Sequence, residues 1–294
     1  MIRVADEVRE ALAAGEGVVA LETTLVAHGF PPGEGVAVGL ESERQVREAG
    51  AVPATVGVIG GEVRVGLTEE ELDRFGAEAR KAGPRDLAAA AVQGAVGATT
   101  VGGTLAVMRA AGIRVLATGG IGGVHRGFPN PPDVSADLAQ LARTPAVVVS
   151  AGAKSLLDVP ATAELLESLG VPVLGFRTDT LPLFYAAAGG PPVSARVESA
   201  EEAARVAEAH WRLGGAGLLL GRPPDKPLED IEPLVAEALA AAAAGGVRGQ
   251  AVTPFVLSHL HRESAGRTES ANKALVAQNA RLAGDVAVAL AATA

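Results

Sequence analysis

The run Ala146-Val147-Val148-Val149-Ser150 constrains the fold more than any other stretch of this chain. It is short, β-branched and uninterrupted by polar residues, whereas an antiparallel strand with one wet face would alternate; the pattern belongs to a parallel strand buried on both faces. The chain repeats this device. Aliphatic strands are expected at 17–22, 54–59, 62–66, 113–118, 146–150, 172–176 and 216–220. Helical periodicity covers 3–14, 34–49, 135–143, 160–169, 199–213, 229–244, 253–264 and 268–291, with helices from 68 to 112 broken near Gly83-Pro84 and Gly97. Strand alternating with helix calls for right-handed crossovers, hence an α/β protein whose largely parallel central sheet is covered by helices on both sides. The glycine- and proline-rich stretches are short, sit between elements and mark no linker. No internal repeat is evident, so one domain over 1–294 is expected.

Composition narrows the function classes. Of 294 residues, 48% are hydrophobic, enough for a sizeable core. Lys+Arg number 25 against 34 Asp+Glu, a formal charge of −9, and there is no basic stripe to meet a phosphate backbone. The six Phe, one Tyr and one Trp are scattered rather than arrayed as a stacking platform, so no nucleic-acid polymer is expected as a partner. The absence of cysteine excludes a disulfide framework, a thiolate metal site and a cysteine nucleophile. Met1–Leu12 reads as an acidic amphipathic helix rather than a signal peptide, and no apolar run reaches membrane-spanning length. A soluble, cytoplasmic protein is expected. Lysine occurs only at 81, 154, 226 and 273, arginine supplying the rest of the positive charge, so each lysine is informative.

Four segments follow predicted strands, the edge of an open α/β sheet where ligands bind. In Ala20–Gly29, Glu22 closes an apolar strand and is trailed by hydroxyls. A carboxyl buried there would have a raised pKa and could act as a general acid, or it could cap a helix or pair with an arginine. Ala117–Gly127 is glycine-rich but has neither the dinucleotide-binding spacing nor the Lys-Ser/Thr ending of a P-loop, so it is a ligand-approach loop or simply a turn. In Asp133–Leu138, Ser135 and Asp137 suit a helix start; the same start could hold phosphate, and Asp133 just outside it could hold a hard cation with several waters retained. Finally, Ser150-Ala151-Gly152-Ala153 delivers Lys154 to a strand end among small residues. A lysine there is either solvated or, if partly desolvated, a nucleophile toward carbonyl carbon.

These segments carry a family pattern. The matches are ALETTLVAHG (20–29), PATVGVIGGEVRVGLTEEEL (53–72), KAGPRDL (81–87), GATTVGGT (97–104), VLATGGIGGVHRG (115–127), DVSADL (133–138), SAGAKSLLD (150–158), TPFVL (253–257) and SANKALVAQNARLA (270–283). They occur in order over nearly the whole chain, which therefore resembles the pseudouridine-5'-phosphate glycosidases, also called the indigoidine synthase A-like family. Two departures stand out: Phe30–Gly33 lacks the tyrosine and asparagine of the family pattern, and Lys273 replaces an apolar residue.

The resemblance implies a three-layer helix/sheet/helix fold and a homotrimer. It also implies reversible cleavage of the C–C glycosidic bond of pseudouridine 5'-phosphate to uracil and ribose 5-phosphate, with one divalent cation per subunit, Mn²⁺ or else Mg²⁺. Carried over by position, Glu22 is the proton donor, Lys154 the nucleophile and Asp133 the metal ligand. Lys81, Val101, Ser135, Ala136 and Asp137 line the substrate, with Thr118 and His125 close by. The chemistry agrees, because a bond to carbon cannot be broken by protonating a leaving nitrogen. Protonation of the ring oxygen would open the ribose and let Lys154 capture C1' as an imine. Two other readings keep Lys154 and the phosphate loops: another lysine-imine lyase or aldolase acting on sugar phosphates, and a non-catalytic sugar-phosphate-binding protein.

Overall fold

The structure, a computed structural model, describes residues 2–31, 33–130, 132–228 and 230–293. Pro32, in the stretch that departs from the family pattern, and Pro131, in the loop before Asp133, lie outside the described residues. The strands are β1 (Ile2–Val4), β2 (Val18–Glu22), β3 (Val52–Ile59), β4 (Glu62–Val65), β5 (Arg80–Ala82), β6 (Gly97–Thr99), β7 (Val115–Ala117), β8 (Val147–Ser150), β9 (Val173–Phe176), β10 (Ala195–Val197) and β11 (Leu218–Gly221). The helices are α1 (Asp6–Ala14), α2 (Thr24–His28), α3 (Gly35–Glu48), α4 (Glu69–Leu72), α5 (Leu87–Val92), α6 (Val101–Ala111), α7 (Ala136–Leu141), α8 (Val159–Ser168), α9 (Ala200–Arg212), α10 (Glu232–Ala244), α11 (Val252–Glu263) and α12 (Arg267–Ala291), with a 3₁₀ turn at Gly249–Ala251.

Among the described residues, eleven strands form one sheet in the order β1-β4-β3-β2-β7-β8-β11-β9-β10, with β6 on β3 and β5 on β6. From β3 through β10 along that order every pairing is parallel; the antiparallel partners, β4 and β6, both pair with β3. The strands carry apolar side chains to both faces. Val147 and Val149 of β8 join Ala283 and Val286 of α12 and Ala203 and Ala207 of α9, while Val148 joins Leu105 of α6, Leu138 of α7 and Leu166 of α8 on the other face. Each such valine is fully buried, worth at most about 1.5–3 kcal/mol. The result is the expected α/β fold of three layers, helix/sheet/helix.

Local signals set the helix ends. Thr100 caps α6 by accepting from Gly103 N–H, Asp158 caps α8 by accepting from Ala161 N–H, and Ser199 caps α9 by accepting from Glu202 N–H. Where pattern and structure differ, the strands are only three residues long. The stretch 68–112, expected to be broken helices, also holds β5 (Arg-Lys-Ala) and β6 (Gly-Ala-Thr). Residues 2–4, partly expected to be helix, pair with β4, and β10 pairs with β9. Three-residue strands carry no periodicity; the neighbouring strand makes them.

The sheet order also fixes where a ligand can sit. From β2 the chain moves outward to β3, and from β7 it moves the opposite way to β8. The carboxyl ends of β2 and β7 therefore flank the topological switch point, where loops diverge and leave a crevice.

Candidate active site

The loops beyond β2, β6, β7 and β8 enclose a cavity of about 500 Å³ at this switch point. Register explains which side chains meet there. Leu21 of β2 pairs with Ala117 of β7, so the next residues, Glu22 and Thr118, are neighbours, and Thr118 Oγ1 donates to Glu22 Oε1. The capping and arginine-pairing readings of Glu22 are both replaced by this contact. The hydroxyls that trail Glu22 serve the fold instead: Thr23 Oγ1 donates to Val56 O at 2.8 Å and Thr24 Oγ1 to Ala98 O at 2.9 Å.

Past their strands, the β7 and β8 loops continue side by side. Ala151 N–H donates to Gly119 O at 2.9 Å, Ile121 N–H to Gly152 O at 3.0 Å and Lys154 N–H to Ile121 O at 3.2 Å. Gly152 has φ +83°, and a Cβ there would lie 1.9 Å from Pro182 O, so only glycine fits this corner. The corner turns Lys154 into the cavity.

Every residue given a site role by the resemblance lines this one cavity: Glu22, Lys81, Val101, Thr118, His125, Asp133, Ser135, Ala136, Asp137 and Lys154. Lys81 comes from β5, one of the strands the pattern hid. Ser135 is the cap of α7, its Oγ accepting from Asp137 N–H at 3.2 Å. Asp137 is not a simple first-turn acid, because its carboxylate accepts from Gly102 and Gly122 N–H. Asp133 is half-buried, with Oδ2 3.9 Å from His125 Nδ1. Lys273 faces elsewhere, paired at 2.8 Å with both Glu34 and Glu269.

Charge and burial tune the groups differently. Burial pushes the Glu22 carboxyl above the usual range, and the Asp137 anion adds to the rise, against the Lys154 ammonium, the Thr118 hydrogen bond and Lys81. Burial lowers Lys81, the Lys154 cation adding to the effect while Asp137 and Glu22 oppose it. His125 is lowered first by burial, with Lys81 and Lys154 in the same sense and Asp133 opposing. The cavity thus brings a carboxyl raised by burial and a lysine among small residues into one crevice, groups of the kinds that can serve as a general acid and as an amine nucleophile.

Three further features lay outside the sequence expectations. Asn272 of α12 lines the cavity with its Oδ1 buried and lacking a hydrogen-bond partner in the protein. Its signal was present, since Asn272 and Asn279 interrupt the buried face of α12 at a spacing of seven. Phe184, at φ +67°, presents its ring to the cavity beside Gly120, and nothing in its sequence marks that backbone state. Thr253, Pro254 and Leu257 of α11 close the far wall.

Known proteins are similar to this chain in sequence and in fold. A family model described as indigoidine synthase A like protein matches residues 7–289. A protein of Herpetosiphon aurantiacus named pseudouridine-5'-phosphate glycosidase is 48% identical, over 97% of each chain. One of the same name from Symbiobacterium thermophilum is 49% identical, over 97% of this chain and 96% of its own. Among solved structures, the prealnumycin C-glycosynthase AlnA in complex with ribulose 5-phosphate superposes with a TM-score of 0.89 at 43% identity, covering 100% of this chain and 98% of that one. An indigoidine synthase A-like protein from Thermotoga maritima gives 0.88 at 36% identity, covering 99% and 97%.

Proposed function

Because this chain belongs to the indigoidine synthase A-like family, we propose that it is a pseudouridine-5'-phosphate glycosidase, reversibly splitting the C–C bond between uracil and ribose 5-phosphate. The observation that carries this reading is the buried Glu22, its carboxyl raised by that burial, sharing one cavity with Lys154. The names of its full-length relatives support it, as does the ribulose 5-phosphate complex of the C-glycosynthase AlnA.

In this reading Glu22 gives its proton to the ribose ring oxygen as the C1'–O4' bond breaks, and the Lys154 amine donates its electron pair to C1' and sheds a proton. Protonation of uracil at C5 then allows the C1'–C5 bond to break, its pair returning to the base while the lysine nitrogen's pair forms C1'=N. Water adds to that imine, releasing open-chain ribose 5-phosphate and the free amine. Two carboxylates arranged for O-glycoside hydrolysis would not achieve this, since the leaving atom is carbon. The exposed edge of the base would be met by the unpartnered Asn272 Oδ1, an acceptor suited to a ring N–H. The phosphate would lie by the starts of α6 and α7, near Lys81, Val101, Ser135 and Ala136.

A divalent cation fits as a loosely held group. Asp133 is a half-buried, hard oxygen donor, and the described residues hold no cluster of three or more His, Cys, Asp or Glu that would build a full cage. Asp133 would hold Mn²⁺ or Mg²⁺ with water in the remaining positions, supplying positive charge to balance the phosphate. We extend the reading to a homotrimer acting in the cytoplasm; among the described residues no helix is long and apolar enough to cross a membrane.

The test is incubation of the pure protein with pseudouridine 5'-phosphate and Mn²⁺, following free uracil. Uracil release is the expected result. Cleavage of a sugar phosphate without release of base would instead make this a lysine-imine aldolase, and tight binding without turnover a sugar-phosphate-binding protein. Sedimentation equilibrium tests the trimer.

A further inference from the structure

Asp137 lines the cavity but is only 5% exposed, and its carboxylate is held by backbone donors. Oδ1 accepts from Gly102 N–H at the start of α6 and Oδ2 from Gly122 N–H in the loop after β7, each at 2.8 Å. Its own N–H is held by Ser135 Oγ. One carboxylate therefore joins three segments that are far apart in sequence, through charge-assisted bonds roughly twice as strong as neutral ones. The neighbours are cut to match. A Cβ on Gly102 would lie 3.1 Å from Oδ1, and a Cβ on Gly122 would lie 2.4 Å from Ser135 Oγ and 2.8 Å from Asp137 Oδ2.

We infer that Asp137 is a positioning residue rather than a substrate ligand: its ionised carboxylate locks the start of α6, the Gly122 loop and the start of α7 into one wall of the cavity. The family resemblance and the cavity lining both place Asp137 beside the substrate, while each of its carboxylate oxygens accepts a backbone N–H. The fixed anion has an electrical consequence. The groups acting on Glu22 include Lys154, Asp137 and Lys81, with Thr118 hydrogen-bonded to it, and those around Lys81 include Lys154, Asp137, Glu22 and the imidazoles of His28 and His125. In both sets Asp137 acts in the same direction, holding a proton on Glu22 and a charge on Lys81.

The pH arm of the test rests on the proposed role of Glu22 as acid; the exchange arm does not. In Asp137→Asn the amide can accept from only one of the two glycines and sets a donor against the other, and the anion is gone. Glu22 and Lys81 must both be protonated to act, and both lose a charge that favours protonation. The alkaline limb of kcat/KM should therefore move to lower pH by about half a unit or more, with kcat reduced. Asp137→Glu keeps the charge and misplaces it, so kcat should fall while the limb stays. A limb unmoved in Asp137→Asn, with loss only in KM, would overturn the inference. Hydrogen exchange decides independently, even if a variant fails to fold or no uracil is released. In the wild-type protein the Gly102 and Gly122 amides should be as protected as the interior of α6 and remain so with ribose 5-phosphate added. Exposed amides in the free protein, or protection lost on adding ribose 5-phosphate, would show the carboxylate serving the ligand and overturn the inference.

Discussion

Lys154 stands at a corner that depends on Gly152 and on the carbonyl of Ile121, and its side chain contributes nothing to the core. Lys154→Ala should therefore abolish uracil release while leaving the unfolding transition in place. Borohydride added during turnover should trap a ribose-phosphate adduct on Lys154 of the wild type; labelling at Lys81, or none, would refute the nucleophile assignment. Glu22→Gln keeps shape and loses the proton, so kcat should drop by about 10²-fold or more while KM changes little. A loss carried entirely by KM would instead assign Glu22 to binding. Burial raises the Glu22 carboxyl above the usual carboxylate range, so activity that needs its proton should fade as the pH rises through that raised value, at a higher pH than a solvated glutamate would allow.

The elements around the site are held by a few fixed contacts of very different worth. Arg126 donates to Ser155 O at 2.8 Å and to Leu157 O at 3.3 Å, just after Lys154, and pairs with Glu232 at the head of α10. Asp158 caps α8, the helix that follows the Lys154 loop. Asp158→Ala should lower stability by about 1 kcal/mol, read as a reduced urea midpoint at constant slope. Lys273 bridges Glu34 before α3 and Glu269 of α12, but half in water. Lys273→Ala should cost less than about 1 kcal/mol and leave activity unchanged, because solvent screens such pairs. A larger loss for Lys273→Ala than for Asp158→Ala would reverse this ranking.

Across the whole molecule, the cavity is a meeting of loops whose charges are balanced only in combination. A phosphate dianion placed near Lys81 and the helix starts would orient the ribose for Lys154, using binding energy remote from the bond that breaks. Pseudouridine lacking its phosphate should therefore be poorer in kcat/KM by about 10²-fold or more. Lys81→Ala should penalise the phosphate ester far more than the nucleoside, and equal losses on both would remove Lys81 from phosphate recognition. If a divalent cation shares that task, chelation should suppress turnover and excess Mn²⁺ restore it, with Asp133→Ala only partly rescued. Full activity in chelator would take the metal out of the reaction.

The strand at 147–150 and the helices from 199 onward were legible because aliphatic runs and 3.6-residue periodicity are local properties, and the loop residues because the family pattern names them by position. β5 and β6 were not, since three residues of Ala, Gly, Thr, Lys and Arg have no preference of their own until β3 offers its edge. Nor could the chain order show that Glu22 and Thr118, ninety-six residues apart, meet at the ends of adjacent parallel strands, Thr118 just past its own, or that Asp137 sets its two oxygens on Gly102 and Gly122. Residue type and period determine which segments are strands, helices and reactive loops. Strand order and register, which depend on packing the whole chain at once, decide which of those loops share a cavity and which charges act on one another within it.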